Sequence, residues 1–90
     1  MPSPDAKSLI DFPCRFPIKV MGAHHPEFVT TIADVARRFE PGFDADSIRI
    51  TPSKAGNYLG LTLQVWVTSQ AQLDDLYRAL TGHPMVKVVL

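Results

Sequence analysis

Three histidines, His24, His25 and His83, are the residues of this chain best suited to bind a metal or to transfer a proton near neutral pH. His24 and His25 are adjacent, so their side chains diverge, and neither has a second histidine four residues away on a helix face. No thiol or carboxylate stands beside them at ligand spacing. The pattern therefore predicts no metal site and no cofactor. A histidine acting as a general base stays open as an alternative.

Two further groups could do chemistry, and both favour a structural interpretation. The single cysteine, Cys14, lies at the opposite end of the first predicted strand from the histidines, about 20 Å away at about 3.3 Å per residue. Asp74 and Asp75 are neighbours on a predicted helix beside Arg78, which indicates a solvated, charge-balanced surface. These residues therefore predict no catalytic centre, and we expect a protein that is not an enzyme.

Composition limits the function classes further. The chain has 90 residues, nine Lys and Arg against nine Asp and Glu, and one cysteine. Zero net charge argues against nucleic acid or an anionic membrane as the partner, and a lone cysteine cannot form an internal disulfide. The N-terminal residues lack an apolar signal-peptide core, and no apolar run is long enough for a membrane span. We expect a cytoplasmic protein.

The central element is a strand over residues 59–67, where every second residue is apolar. Shorter alternating segments predict strands over residues 16–21, 47–52 and 85–90, with Ile48 and Ile50 facing inward. Pro13 and Pro17 confine pairing of the first strand to its second half or require an unpaired edge at its start.

Helical spacing of apolar residues predicts two helices. The first opens at Pro26 and runs to Phe39. The second follows a capping box formed by Ser69 and Gln72, and Gly82 stands where a left-handed C-terminal cap belongs.

The order strand, helix, strand, strand, helix, strand favours an α+β, ferredoxin-like βαββαβ sandwich. Its four antiparallel strands take the order 4-1-3-2, and both helices cover one face. Residues 12–90 form this single domain, and residues 1–11, with two prolines, are predicted to be a flexible N-terminal arm.

That topology gathers loops 22–25, 53–58 and 82–83 at one edge of the sheet, here called the loop edge. Lys54 could supply a positive charge to an anionic group, Gly22 a close backbone approach, and Asn57 hydrogen bonds in both directions. Polar loop ends are also common without any function. The candidate effector-binding or partner-binding residues of the loop edge are Gly22, His24, His25, Lys54, Asn57 and Tyr58.

The sheet face away from the helices, here called the open face, is the second candidate. Alternation places a mixed strip there, which is either a contact surface or a face covered by long Lys and Gln side chains. An RNA-binding module is an alternative on this face, although the first strand offers Lys19 where a stacking aromatic would stand. The candidate contact residues are Lys19, Met21, Arg49, Trp66 and Lys87.

Several short motifs together resemble the YbeD-like family of small bacterial proteins. The Lys-Val-Met-Gly and Gly-Asn-Tyr elements, in this order and spacing, carry most of the resemblance, which extends from about Leu9 to Leu90. The matching segments are residues 12–13, 18–22, 52–54, 56–58 and 86–90, with Leu73, Tyr77 and Leu80.

The resemblance implies a relative of ACT regulatory domains, in which βαββαβ units pair and small effectors bind after the first strand. It implies a cytoplasmic, non-catalytic regulatory or adaptor protein, with a loose link to lipoate metabolism. We expect a homodimer that binds a partner protein or a small anionic effector. The stretch from Gly22 to Phe28 keeps the proline of the ACT helix start but lacks its acidic residue and second glycine. We therefore do not expect amino-acid binding of the ACT kind.

Overall fold

The computed structural model describes residues 11–90, so nearly all of the predicted N-terminal arm lies outside the described residues. The elements in chain order are β1 (Cys14–Ala23), α1 (Phe28–Phe39), a 3-10 turn (Ala45–Ser47), β2 (Arg49–Pro52), β3 (Tyr58–Val67), α2 (Gln70–Thr81) and β4 (Val86–Val89).

The four strands form one antiparallel sheet in the order β2-β3-β1-β4. This is the predicted order 4-1-3-2 read from the other side, and the predicted ferredoxin-like fold is confirmed. The two ten-residue strands, β1 and β3, pair along their whole length, from Cys14 opposite Val67 to Ala23 opposite Tyr58. The short strands β2 and β4 flank only one half of that ribbon.

The core lies between the sheet and the two helices. Alternate residues of β3 from Leu59 to Val67 are buried, as their period of two predicts. The apolar stripes of α1 and α2 cover them, with Phe28 and Leu76 fully buried. Phe43, in the loop after α1, is also buried. Neither α1 nor α2 lies on the opposite face of the sheet.

The first strand is longer than predicted because Pro17, although opposite Gln64 of β3, directs its backbone nitrogen toward the other side of β1, where it has no paired neighbour. Lys19 exchanges both backbone hydrogen bonds with Leu90. The β1 residues that lie an even number of positions from Lys19 therefore direct their backbone N–H and C=O groups toward the β4 side. Pro17 stands two residues earlier, beyond the pairing with β4, where a missing N–H costs no ladder bond. Of the two possibilities raised by the sequence, the unpaired edge is the observed one.

Two predictions about the helix ends differ from the structure. Helix α1 begins at Phe28 because His25, Pro26 and Glu27 form a turn in which the Phe28 N–H donates to the His25 carbonyl. Gly82 has a φ of −83°, so it is not a left-handed cap. Its N–H and that of His83 continue the last helical turn.

Strand β2 is also shorter than predicted, since the 3-10 turn, capped by the Asp44 side chain, occupies its expected start. Ile48 is buried, but Ile50 is 49% exposed. Ile50 pairs with the buried Leu61 and thus faces the helix side of the sheet, but the helices do not extend over this edge strand.

A polar junction ties the end of α1 to the end of β3 and the start of α2. Ser69 accepts from the Gln72 N–H, as the capping box predicts, while the Gln72 side chain accepts from Thr68 and donates to the Phe39 carbonyl. Nearby, the Glu40 carboxylate accepts the Trp66 N–H at 2.8 Å, at a point on β3 beyond the reach of β2. These contacts are structural.

Candidate binding surface

The loop edge is held together by His24. Its backbone N–H donates to the Asn57 carbonyl at 3.2 Å, and its Nδ1 donates to the Gly56 carbonyl at 2.7 Å. Both bonds join the turn after β1 to the turn before β3, where Gly56 adopts a φ of 77°. His24 therefore links the two turns through two hydrogen bonds. The convergence of these loops is as predicted.

The other two histidines form turn bonds of their own. The Nδ1 atom of His25 accepts the Glu27 N–H at 3.0 Å, and Nδ1 of His83 accepts the Met85 N–H at 3.1 Å. These Nδ1 lone pairs are therefore already engaged. Within residues 11–90, no group of three or more His, Cys, Asp or Glu side chains is arranged to hold a metal ion.

Gly22 is a packing residue. It lies buried at the end of β1, and a Cβ atom built on it would collide with the Met85 carbonyl oxygen and with the Phe28 ring, whose Cε1 would be 2.6 Å away. The space left by the missing side chain is thus filled by the protein itself. The backbone approach to a ligand that the sequence suggested at Gly22 has no room.

The remaining loop-edge candidates are exposed. Lys54 lies in the turn that the Gly56 N–H closes on the Ser53 carbonyl, and Tyr58 begins β3 with its N–H bonded to the Ser53 hydroxyl. The backbone carbonyl of Asn57 accepts the His24 N–H. Tyr58 also borders a cavity, which lies on the open face.

The open face is best described as rows that cross the strands. One row places Thr51, Gly60, Met21 and Val88 side by side, because each is the Cα partner of the next. The neighbouring row places Arg49, Thr62 and Lys19 side by side, with Leu90 bonded to Lys19. We call these the glycine row and the cationic row.

Gly60 leaves a hollow in the glycine row, because its neighbours on both strands carry side chains. A groove of about 420 Å³ lies over it. Its apolar walls are strongly exposed for side chains of their type, with Met21 at 43%, Val88 at 45% and Leu90 at 72%. A second, polar groove of about 470 Å³ adjoins it along the cationic row and includes Ser47 and Gln64. The two grooves share Lys19, Thr51 and Thr62.

The predicted contact residues divide along this face. Lys19, Met21 and Arg49 lie together at the two grooves. Trp66 stands at the far end of β3, where the Arg15 guanidinium lies 5.7 Å from its ring centroid. Lys87 is the extra residue of a β-bulge opposite Met21 and Gly22, so Val88 takes the row position beside Met21.

Sequence reasoning missed Gly60, Val88 and Leu90. The signal for Gly60 was present, since a glycine inside a strand marks a bulge or a close approach, and here it marks a hollow. The bulge in β4 has no comparable signal. Strict alternation over Val86–Val89 places Lys87 on the open face, whereas the bulge places Val88 there.

Several ionisable groups lie away from both grooves. Cys14 lies at the end of the β1–β3 ribbon opposite the loop edge, as predicted. Asp75 forms an exposed ion pair with Arg78, and Asp34 forms one with Arg37. Burial raises the pKa of the Tyr77 phenol on α2, whose ring packs against the core. None of these groups faces either groove.

A family model described as a protein of unknown function, DUF493, matches residues 7–90. The chain belongs to the DUF493 family. It is 62% identical over 88 residues to a UPF0250 protein of Paraburkholderia phymatum, covering 98% of this chain and 99% of that one. It is 60% identical over 87 residues to a UPF0250 protein of Bordetella pertussis, covering 97% and 96%. The resemblance to the YbeD-like proteins is thereby confirmed.

Two solved structures have the same fold. The solution structure of protein HP0495 from H. pylori aligns with a TM-score of 0.78 at 16% identity, covering 100% of this chain and 94% of that one. The C-terminal domain of the MgtC protein from Mycobacterium tuberculosis aligns with a TM-score of 0.67 at 18% identity, covering 90% and 88%. At these identities the likeness establishes the fold alone. No helix of the described residues is long and apolar enough to cross a membrane.

Proposed function

We propose that this DUF493 protein is a non-catalytic regulatory or adaptor protein that binds a partner protein through the open face. The observation that carries the proposal is the groove over Gly60, walled by exposed apolar side chains on a sheet face that neither α1 nor α2 covers. A 90-residue domain that leaves Met21, Val88 and Leu90 exposed together has an unburied apolar patch, and such patches mark interaction sites.

The open face fits this role better than the loop edge does. At the loop edge, His24 and His25 are engaged in turn hydrogen bonds and the space beside Gly22 is filled by Phe28 and Met85. Lys54 is exposed there and lines neither of the two grooves. A small anionic effector bound at the loop edge would have one cation and no enclosing walls.

The two alternatives raised by the sequence have less support. A histidine general base would need a pocket beside it, and neither groove includes a histidine. An RNA-binding face would need aromatic side chains on neighbouring strands. Here Tyr58 and Trp66 stand on the same strand, eight residues apart, with Lys19 and Met21 between them on β1.

We also propose that the protein is a homodimer, as its resemblance to ACT domains implies. Ile50 on the edge strand β2 is an exposed apolar side chain on the helix side of the sheet, which edge-to-edge pairing would cover while leaving the open face free. Light scattering should then give twice the mass of the chain, and Ile50→Lys should give monomers. A monomeric wild-type protein would overturn this part of the proposal.

Site-specific photo-crosslinking in living cells of the bacterium that naturally makes the protein tests the binding surface. A photoreactive phenylalanine analogue at Thr62 on the open face should yield a discrete protein adduct, because this position lies at the junction of the two grooves. The same analogue at Asp75 on α2 is the matched control for an exposed position on the helix layer, and at Lys54 it probes the loop edge.

Met21→Lys should abolish the adduct formed from Thr62, since it places a charge on the apolar wall of the groove. Unchanged circular dichroism and thermal midpoint would show that this exposed substitution leaves the fold intact. Adducts formed only from Lys54 or Asp75, or an adduct from Thr62 that survives Met21→Lys, would contradict the proposal.

A further inference from the structure

We infer that the partner segment recognised by the open face is acidic and extended, with an apolar side chain in the hollow over Gly60 and a carboxylate at the cationic row. This inference rests on the proposed function and specifies the chemistry of the partner. It is carried by two observations, the distribution of charge over the sheet and the spacing of the two rows.

The sheet carries charge of one sign. The four strands contain four basic residues and no acidic one, although the whole chain is neutral. Arg15, Lys19 and Arg49 project from the open face, because their Cα partners Trp66 and Thr62 alternate with the buried residues of β3. In residues 11–90 the ion pairs join Arg37 to Asp34 and Arg78 to Asp75, both within helices. Among residues 11–90, no acidic side chain forms an ion pair with the cations of the open face.

Two of these cations flank one position. Lys19 and Arg49 are the Cα partners of Thr62 on its two sides, so their Cα atoms are about 10 Å apart, twice the separation of neighbouring strands. Both side chains are long and exposed. A carboxylate placed over Thr62 would lie between an ammonium and a guanidinium, which is the geometry for charge-assisted hydrogen bonds.

The apolar hollow lies one row away. Gly60 precedes Thr62 by two residues, which is about 6.8 Å along an antiparallel strand. In an extended segment lying along β3, side chains two residues apart have the same spacing. An apolar residue at one position and Asp or Glu two positions away would then fill the hollow and meet the cationic row at the same time.

Charge selects this occupant over the other possible ones. A second copy placed face to face would bring three cations against three, without an acidic side chain on any strand of either sheet. RNA would satisfy the cations but would leave the aliphatic walls formed by Met21, Val88 and Leu90 against a polar backbone. An acidic segment with an apolar anchor satisfies both grooves.

A display library of random 12-residue peptides, selected on the immobilised full chain, tests the inference because such a library contains acidic, basic and uncharged segments alike. We expect a consensus in which Asp or Glu stands two positions from Leu, Ile, Met or Phe. Fluorescence anisotropy of the labelled consensus peptide should show its Kd rising about tenfold for the double variant Lys19→Gln, Arg49→Gln, as for two exposed charge contacts. Arg38→Gln, an exposed cation on α1, is the matched control and should leave Kd unchanged.

The outcomes separate the inference from the proposed function. Selected peptides without acidic residues that still lose binding in Met21→Ser would overturn the acidic class and leave the open face as a protein-binding surface. Peptides that bind Met21→Ser and the double variant as tightly as the wild type would overturn both. Failure to select any peptide, or tighter and equally charge-dependent binding of a 12-nucleotide uridine oligomer, would also overturn the inference.

Discussion

Replacement of Gly22 by alanine tests how the end of β1 is packed. The added methyl group would collide with the Met85 carbonyl oxygen and with the edge of the Phe28 ring. One obstacle is backbone and the other is a ring that is 0% exposed, so neither can move into solvent. Rearrangement of core side chains would not remove the overlap with the carbonyl oxygen, because that oxygen belongs to the backbone of the segment leading into β4.

The magnitude follows from the cost of overpacking, about 1–3 kcal/mol per inserted group. Since both obstacles are fixed, we expect Gly22→Ala to reach the upper end, about 3 kcal/mol. For a domain of this size, 1 kcal/mol lowers the midpoint of thermal unfolding by about 4–8 °C, so the expected fall is about 12–24 °C. This would be a large part of the stability of a domain that has about 5–15 kcal/mol in total.

Thermal and urea unfolding of three variants would decide the matter. Gly42→Ala is the matched control, because nothing lies within 4 Å of a Cβ atom at Gly42, and it should change the free energy of unfolding by less than about 0.5 kcal/mol. The double variant Gly22→Ala, Phe28→Leu should lose less free energy of unfolding than the sum of the two single variants, because the smaller side chain at position 28 leaves room for the added methyl group. Equal stability of Gly22→Ala and Gly42→Ala, or strict additivity in the double variant, would refute this account.

Three further predictions concern separate parts of the fold. Gly56→Ala places a side chain at a φ of 77° with open space around it, so urea unfolding should show a loss of about 1 kcal/mol from backbone strain alone, and no loss would contradict the assigned conformation. Gln72→Ala removes the side-chain bonds to Thr68 and Phe39 and should cost about 1–2 kcal/mol by the same assay, whereas a neutral result would show that the junction does not stabilise the fold. Burial raises the pKa of the Tyr77 phenol above its ordinary 10.0, so the folded state holds this proton more tightly than the unfolded state does. The associated stability is complete below pH 10 and is lost as the pH rises above it. Above pH 10 wild type should therefore lose more stability with rising pH than Tyr77→Phe, and parallel curves would contradict this.

The sequence was sufficient for the architecture because each main element has a clear period. The alternation along β3 and the helical stripes of α1 and α2 fix which faces are buried, and the short connections leave few topologies. Errors occurred where tertiary contacts decide local geometry. Ile50 alternates as an inward residue, but its exposure depends on how far the helices reach over β2.

The candidate residues were harder to assign, for a related reason. Residue type suggested that Gly22 serves a ligand, whereas its role depends on the position of a ring six residues later and of a carbonyl from the far end of the chain. Lys19, Met21 and Arg49 were placed correctly on the open face because strand parity decides it. The hollow over Gly60 and the position of Val88 required the cross-strand register and a bulge, which a single sequence does not encode in any short pattern.

The one-signed charge of the sheet in a neutral chain makes the molecule an electric dipole. A distant anion exerts almost no net pull on the protein, since the attraction and repulsion of its opposite charges cancel. The anion does exert a torque on the protein, which turns the positive side of the sheet toward the anion. At physiological ionic strength this field fades over about 8 Å, close to the distance between Lys19 and Arg49. Orientation therefore takes place only within the last nanometre of approach, so salt should slow the capture of a partner far less than it does for a strongly basic domain.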